Sequence, residues 1–598
     1  MVAHESVPVV IVGAGPIGLC ASILLSQRGI RHVVFERHPG TSIHPKACGI
    51  NQRTTEIFRA MGIYEEVRRV AAPDDIKGRT GWFTSLGGQG NGIDGREVWS
   101  RDAWGGGIYS TEYETYSPAR YEILPQIRLE PILVRRAMEL AATPDTLRFG
   151  AEVLGLDDRG DAGVVVKVSE QGEEREVLAR YVIAADGGRS ITDKLGVAWL
   201  GERDIMDMVS VHFRASIRQH HPDNRNFITW FIHPERGGST RTGYLYQIGP
   251  WPLDSPEAQG NEEWVFACAP TASDPEKFDN EAMIARLRDT LKIPDLQVEV
   301  ISLSHWHVHA ISAERYRSGR VFLVGDAAHR IPPWGALGMN SGIQDVQNLV
   351  WKIQFALRGD ANGSPNKYDK LLDSYDIERR PIGRRVGLSS LHNLRSHGLI
   401  MDAALGVSPT NTAETNLAAI QAFWDESHPE HKAKLEAVHK ASQTLDLEFK
   451  APGAELGWFY PSADTHQEGK ASRHQGQLDE DGELRMDVFS PSTIPGHNLP
   501  HVWISKHGQT IALRDLLLLD KLLLIGNGPA WSQLEDETVH VELVAPGQWI
   551  DESGRWQEYL DGYDAVLVRP DGIVAWRGRW HDSTIEECRT AACHCLGL

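Results

Sequence analysis

Cysteine is too scarce here to hold a fold together. Six residues (Cys20, Cys48, Cys268, Cys588, Cys593, Cys595) are scattered over 598 positions, and no two stand at CxxC spacing. That excludes a disulfide scaffold, a zinc knuckle and a thioredoxin-type redox pair. Cys593-His594-Cys595 has no second half to complete a site, so no metal is expected. Long apolar runs are missing as well. The most apolar stretch, LRDLLLLDKLLLIGNG, is broken by Asp520 and Lys521 and is too short to span a bilayer. No charged leader with a cleavage site precedes the first strand, so the expected compartment is the cytosol. Positive charge is in deficit, with 61 Lys and Arg against 81 Asp and Glu. The net charge of −20 argues against nucleic acid or an anionic membrane as the main partner, while leaving room for a locally basic pocket. At this length a single core is exceeded, and two or three domains are expected.

What is present begins with VPVVIVGAGPIGLCASILLSQRGIRHVVFERH, which reads as strand, tight turn, helix and strand. Gly13, Gly15 and Gly18 stand at GxGxxG spacing, with Pro16 inside the turn. The first glycine permits the turn, the second admits a pyrophosphate, and the third lets helix pack on strand. Glu36 closes the second strand, where a carboxylate accepts both ribose hydroxyls of an adenine-linked nucleotide. This unit does not distinguish NAD from FAD.

Two later turns decide between them. ARYVIAADGGRS (179–190) runs a strand into Asp186-Gly187, and GRVFLVGDAAHRIPP (319–333) runs another into Gly325-Asp326. After the second, PPWGALGMNSGIQDVQNLVWKI predicts a helix starting at Asn340-Ser341 and burying Val346, Leu349, Val350 and Ile353. A ligand that needs recognition at residues 13, 186 and 326 is long. That suits resident FAD better than transient NAD, with the first turn on its ADP half and the last on its flavin half.

GAGPIG, the Asp186-Gly187 pair and GDAAHRIPPWGALGMNSGIQDVQNLVWKI together resemble the class A, single-component, FAD-dependent aromatic hydroxylases. NQRTTEIFRAMG (51–62) and the long C-terminal extension narrow the resemblance to the phenol hydroxylase and 2,4-dichlorophenol 6-monooxygenase branch. The implied fold class is α/β: a Rossmann-like FAD-binding domain, an antiparallel-sheet substrate domain and a C-terminal thioredoxin-like α/β domain. The expected boundaries are 1–199 with 300–395 for the FAD domain, 200–299 for the substrate domain, 396–445 for a helical connection and 446–598 for the C-terminal domain. Within the last, AVLVRPDGIVAWRG reads as a hairpin. Lacking CxxC, that domain is expected to be structural or to serve a homodimer or higher homo-oligomer. Residues 85–117 read as a long surface loop or lid.

The resemblance implies a cycle in which NADPH or NADH reduces FAD, O2 adds to the reduced flavin, and the hydroperoxide hydroxylates a small aromatic ring. The expected product carries oxygen ortho to an existing hydroxyl. It further implies FAD contacts from Gly13, Gly15, Pro16, Gly18, Glu36, Arg37, Gln126, Asp186 and Asp326. Lys46 stands where relatives often place an arginine on the pyrophosphate; lysine keeps the charge and loses the bidentate fork. Arg53 is either a helix-surface salt bridge or a ligand contact. Pro333, Gly338, Met339 and Asn340 are expected to border the isoalloxazine, with Pro333 also beside the chemistry. Phenol-active relatives often carry aspartate or histidine at the position of Cys48, and a buried cysteine ionises poorly. Deprotonation then falls to His212, His305 or His307. Tyr244, Tyr246, Trp264 and Phe266 are expected on the substrate sheet, one face of which stacks on the ring. The alternatives are epoxidation or Baeyer–Villiger oxidation of a polycyclic natural product, and a non-enzymatic flavin-binding redox sensor. No second GxGxxG and no GWxWxIP element is present, which argues against a flavin disulfide reductase and a flavin halogenase.

Overall fold

Val9, Val10 and Ile11 have no exposed surface, because the strand that carries them, Glu5–Val12, has parallel neighbours on both sides. A continuous apolar run of this kind marks a strand covered on both faces. Its partners are Glu173–Ala184 and His32–Glu36, and the parallel order continues outward to Val321–Leu323 on one side and Leu147–Phe149 on the other. The computed structural model describes residues 5–88, 91–271, 274–275, 278–460, 474, 476–581 and 584–598.

In a doubly wound sheet, ligands bind outside the carboxyl ends of the strands. Four neighbouring strands end in register here: Gly13 N–H donates to Phe35 O, Ala185 N–H to Val12 O, and Val324 N–H to Ala184 O, at 2.8, 2.8 and 3.0 Å. This pairing brings Gly13, Glu36, Asp186 and Asp326 to one edge. The helix Pro16–Gln27 packs behind the first turn. The helix Gly338–Ala361 starts two residues before the predicted Asn340, with Leu337 as its cap, and buries Val346, Leu349, Val350 and Ile353 as its pattern requires.

A second eight-stranded sheet faces this edge. Its order is His329–Arg330, Glu299–Ala313, Trp199–Arg214, Glu263–Cys268, Tyr244–Gly249, Ile228–Phe231, Arg79–Phe83 and Glu97–Asp102. The sheet therefore draws strands from outside 200–299. It is also not wholly antiparallel, since Ile228–Phe231 runs parallel to Arg79–Phe83. Residues 85–117 are not the expected loop: Glu97–Asp102 is its edge strand, Ser110–Tyr116 is a helix, and Trp104 and Tyr113 are buried, while 89–90 lie outside the described residues. The alternation of apolar and polar residues in this stretch is short, and tertiary pairing decides it.

One face of the second sheet packs on the helix Asn280–Leu291 through Met283, Leu287 and Leu291, and the other faces the first sheet's ligand edge. Beyond the helices Asp369–His397, Ala413–Trp424 and His431–Thr444, a four-stranded sheet forms the C-terminal unit. Its order is Val539–Leu543, Leu522–Gly526, Ala565–Val568, Val574–Gly578, with only the first pair parallel. That is the thioredoxin-like arrangement, and the Pro570-Asp571-Gly572 hairpin falls where the sequence places it. Among the described residues, no helix is long and apolar enough to cross a membrane, and no cluster of His, Cys, Asp and Glu is arranged to hold a metal ion.

Candidate active site

The two sheets enclose a cavity of about 770 Å³. One end is built from the strand-terminal turns. A side chain added at Gly13 would strike the Ala185 carbonyl and one at Gly18 would strike the Gly13 backbone, so these two glycines serve close packing. At Gly15 a side chain would meet no protein atom within 4 Å and would project into open space. The space left open at Gly15 is the approach a pyrophosphate needs, beside the N-terminus of the helix Pro16–Gln27.

Glu36 is oriented by backbone: one carboxylate oxygen accepts from Ala14 N–H and the other from His38 N–H, both at 2.9 Å. Asp186 accepts from Gly188, Ser190 and Ile191 N–H at 3.1, 2.9 and 3.0 Å and so shapes its own turn. Asp326 opens onto the cavity with no side-chain hydrogen bond among the described residues. Its side chain is exposed to the cavity space, yet the protein packed around that space pushes its carboxyl up, against the opposing pull of His329, Arg330, Lys46 and Arg189. A raised carboxyl without a partner suits a ligand hydroxyl. Pro16, Arg37, Lys46, Gln126, Pro333, Gly338 and Met339 also line this cavity. Gln126 additionally donates to Glu130 at 2.6 Å. These residues fit FAD.

The opening at Gly325-Asp326 is held by residues that sequence reasoning did not pick out. Asp345, on the helix Gly338–Ala361, accepts from Gly325 N–H at 3.1 Å and pairs with His329 and Arg379, each at 2.8 Å. Burial alone would raise the Asp345 carboxyl; His329 and Arg379 hold it below the usual range. An aspartate among the buried positions of GIQDVQNLV was the available signal.

Asn340 does not line the cavity. Its side chain accepts from Asn51 N–H at 3.0 Å and donates to Gly49 O and Ala336 O, riveting the helix start to the segment that carries Cys48. Arg53 is no ligand contact and no surface pair: it is buried, bonded to Glu56 and, at 3.0 Å, to Leu456 O.

The other end of the cavity is aromatic. Tyr244 and Tyr246 stack at 6.1 Å, Trp230 lies 4.5 Å from Tyr244, and Phe227 lies 5.7 Å from Tyr246. Trp264 and Phe266 are not there. Antiparallel pairing sets Tyr244 opposite Ala267 and Tyr246 opposite Val265, which sends Trp264 and Phe266 to the far face with Met283 and Leu287. Alternation in each strand was read correctly, but not which parity the strands share. His305 fails for the same reason, since its ring lies 3.3 Å from Phe278 O on the far face. His307 lines the cavity but is exposed and bonded to Asp207.

His212 lies on the cavity wall, yet neither nitrogen is offered to it. Nε2 bonds Glu263 at 3.1 Å, and Nδ1 is covered by protein. Arg128 also pairs with Glu263, at 2.9 Å. Burial raises the Glu263 carboxyl, but His212 and Arg128 outweigh it and bring the group down to about 2. A carboxyl whose folded pKa lies below its ordinary 4.5 contributes stability above that value and loses it as pH falls toward 2. Denaturant melts of Glu263→Gln between pH 5 and about 2 are therefore expected to lose less stability on acidification than the parent. Cys48 reaches the cavity with its thiol pushed by burial to about 12, so it is a neutral wall group and not a base.

Two sheets meeting at a dinucleotide edge, with an aromatic chamber beyond it, define a flavoprotein oxygenase site. Residues 6–389 match the FAD binding domain family, and residues 492–598 match the aromatic-ring hydroxylase C-terminal family. The chain belongs to the FAD-dependent aromatic-ring hydroxylases, and it is an FAD-dependent monooxygenase. It is 30% identical to phenol 2-monooxygenase of Pseudomonas sp. (strain EST1001), over 96% of this chain and 90% of that one. It is 31% identical to aklavinone 12-hydroxylase RdmE of Streptomyces purpurascens, over 96% and 95%. The crystal structure of the flavin-dependent monooxygenase PieE in complex with FAD and substrate superposes with a TM-score of 0.84 at 30% identity, covering 99% of both chains.

Proposed function

We propose that the protein uses NAD(P)H and O2 to hydroxylate a phenolic or related electron-rich ring, ortho to an existing hydroxyl. The single observation that carries this reading is the aromatic chamber joined to the FAD edge. Bound FAD supplies electron transfer from NAD(P)H and the activation of dioxygen. Gly13, Gly15, Pro16 and Glu36 hold its ADP half, Gly18 acts behind them by seating the helix on the strand rather than by touching the ligand, and Asp186, Asp326 and the backbone at Gly338 and Met339 hold the remainder. Arg37, Lys46 and Gln126 flank the diphosphate path. Pro333 borders the junction between edge and chamber.

Tyr244, Tyr246, Trp230 and Phe227 stack on the substrate and keep water from the reacting carbon. Tyr121 also lines the cavity, and burial raises the Tyr121, Tyr244 and Tyr246 hydroxyls, so each stays neutral and can bond a substrate oxygen without charging the chamber. Likeness to an aklavinone hydroxylase supports a second reading, a polycyclic substrate in the same chamber. The test measures NAD(P)H oxidation by FAD-loaded enzyme with monocyclic and polycyclic phenols, followed by product mass and position. A product heavier by one oxygen atom, on the carbon beside a hydroxyl, is expected. Ring expansion to a lactone, or an epoxide, would overturn the hydroxylation.

A further inference from the structure

Five acidic residues line the cavity among the described residues: Glu36, Glu152, Asp186, Asp326 and Glu448. Four stand on the FAD-binding sheet or its turns. Glu448 alone comes from the short helix Asp446–Phe449, between the helical connection and the C-terminal unit. The lysines and arginines of the lining all belong to the opposite end. Arg37, Lys46, Arg189 and Lys194 flank the strand-terminal turns, and Arg330 bonds Gly188 O.

Glu448 is nearly buried, and one of its oxygens meets His397 Nδ1 at 2.9 Å. The His397 ring, itself fully buried, lies 3.8 Å from Trp230 and stacks on Trp82 at 5.9 Å, so it is locked in place by the same indole that walls the chamber. The second oxygen, Oε1, has no hydrogen-bond partner among the described residues and is not sealed off by protein. Phe449 beside it packs edge-on against Trp82 and Trp104, each at 5.7 Å, and Phe449 O accepts from Trp104 N–H at 2.8 Å. A purely structural pair in such apolar surroundings would be expected to satisfy both oxygens, because a half-satisfied buried carboxylate is costly. One oxygen fixed and one left open is the geometry of an acceptor.

We propose that Glu448, held by His397, accepts a hydrogen bond from the hydroxyl of the aromatic substrate and selects hydroxyl-bearing rings over their ethers and over aromatic carboxylates. This rests on the phenol reading above. A carboxylate with no lysine or arginine lining its end of the chamber, where Arg101 stands behind the Phe449 ring and is engaged by Asp446 and Ser442 O, repels an anionic ring substituent and gives an etherified oxygen nothing to receive. Bonding from a phenol also raises electron density on the ring. Glu448 touches the substrate; His397 is a positioning residue.

The test titrates FAD-loaded enzyme with phenol, 1-naphthol and 1,8-dihydroxyanthraquinone, each beside its methyl ether, and reads the flavin absorbance. The parent is expected to favour each hydroxyl compound over its ether. Glu448→Gln is expected to weaken hydroxyl compounds about tenfold, leaving the ethers and the FAD content unchanged. Glu448→Met, apolar and of similar length, gives the same readout if the glutamine variant does not accumulate as holoenzyme. His397→Gln keeps an N–H toward Glu448 and retains selectivity, whereas His397→Leu loses it. Unchanged hydroxyl-to-ether preference in both Glu448 variants would overturn the assignment while leaving the phenol reading intact. A parent enzyme whose NAD(P)H oxidation responds to none of the phenols would overturn both.

Discussion

Gly18→Val is expected to purify as a protein without flavin. The added side chain has nowhere to go: its Cβ would run into the Gly13 carbonyl, with the Ile11 side chain already in contact at 3.4 Å and leaving no room for the further methyls. The helix Pro16–Gln27 must then move off the sheet, taking with it the N–H groups that face the diphosphate. Gly15→Ala provides the contrast. Its new methyl meets no protein atom within 4 Å, and its backbone stays in an ordinary extended conformation at φ −72°. The thermal midpoint of this apoprotein is expected to match the parent, while FAD affinity falls roughly tenfold or more, since only the ligand occupies that space. Flavin absorbance per polypeptide, read beside an apoprotein melt, separates the two effects.

The second large effect lies far from the chemistry. Glu378 sits between Lys352 and Arg569, bonded at 2.7 and 2.5 Å, and Arg569 also bonds Asp571 at 2.5 Å. All four residues are buried. Arg569 and Asp571 belong to the hairpin turn of the C-terminal unit, and Lys352 and Glu378 to two helices of the FAD-binding part. The cluster therefore docks one part on the other within a single chain. Burial alone would raise the Glu378 carboxyl, but Arg569 and Lys352 hold it far below the usual range. Glu378→Ala leaves Lys352 buried without its paired carboxylate and Arg569 with Asp571 alone, so one buried positive charge is uncompensated, and it is expected to cost about 3–5 kcal/mol. Urea unfolding is expected to show the loss, with limited proteolysis releasing the C-terminal unit first. Replacing Lys352, Glu378, Arg569 and Asp571 together by apolar residues of similar volume is expected to restore most of it, because apolar packing can substitute for a buried ion cluster.

These effects mark what could and could not be read in advance. The three strand-end turns were legible because a glycine or aspartate after a short apolar run is a local demand of the backbone, independent of the rest of the chain. Their convergence followed from parallel pairing. The partners that hold them were not legible. Asp345 meets Arg379, and His397 meets Glu448, across 34 and 51 residues, and no local pattern announces either pairing. Face assignment failed at Trp264, Phe266 and His305, because alternation gives a period but not its phase. Asn340 stands in the first turn of its helix, two residues after the start, and its side chain rivets Gly49 and Ala336, a role that no local pattern announces.

The central claim is that the dinucleotide edge and the aromatic chamber form one continuous site, so that a ring bound in the chamber is sensed by the flavin. Anaerobic stopped-flow reduction of the FAD-loaded protein by NADPH, with and without a phenol, tests it most directly. A marked acceleration of flavin bleaching by the phenol is expected, and it should be diminished in Tyr244→Ala and Trp230→Ala proteins of equal flavin content. Reduction that runs at one rate whether or not any phenol is present, together with an unperturbed flavin spectrum, would contradict the account.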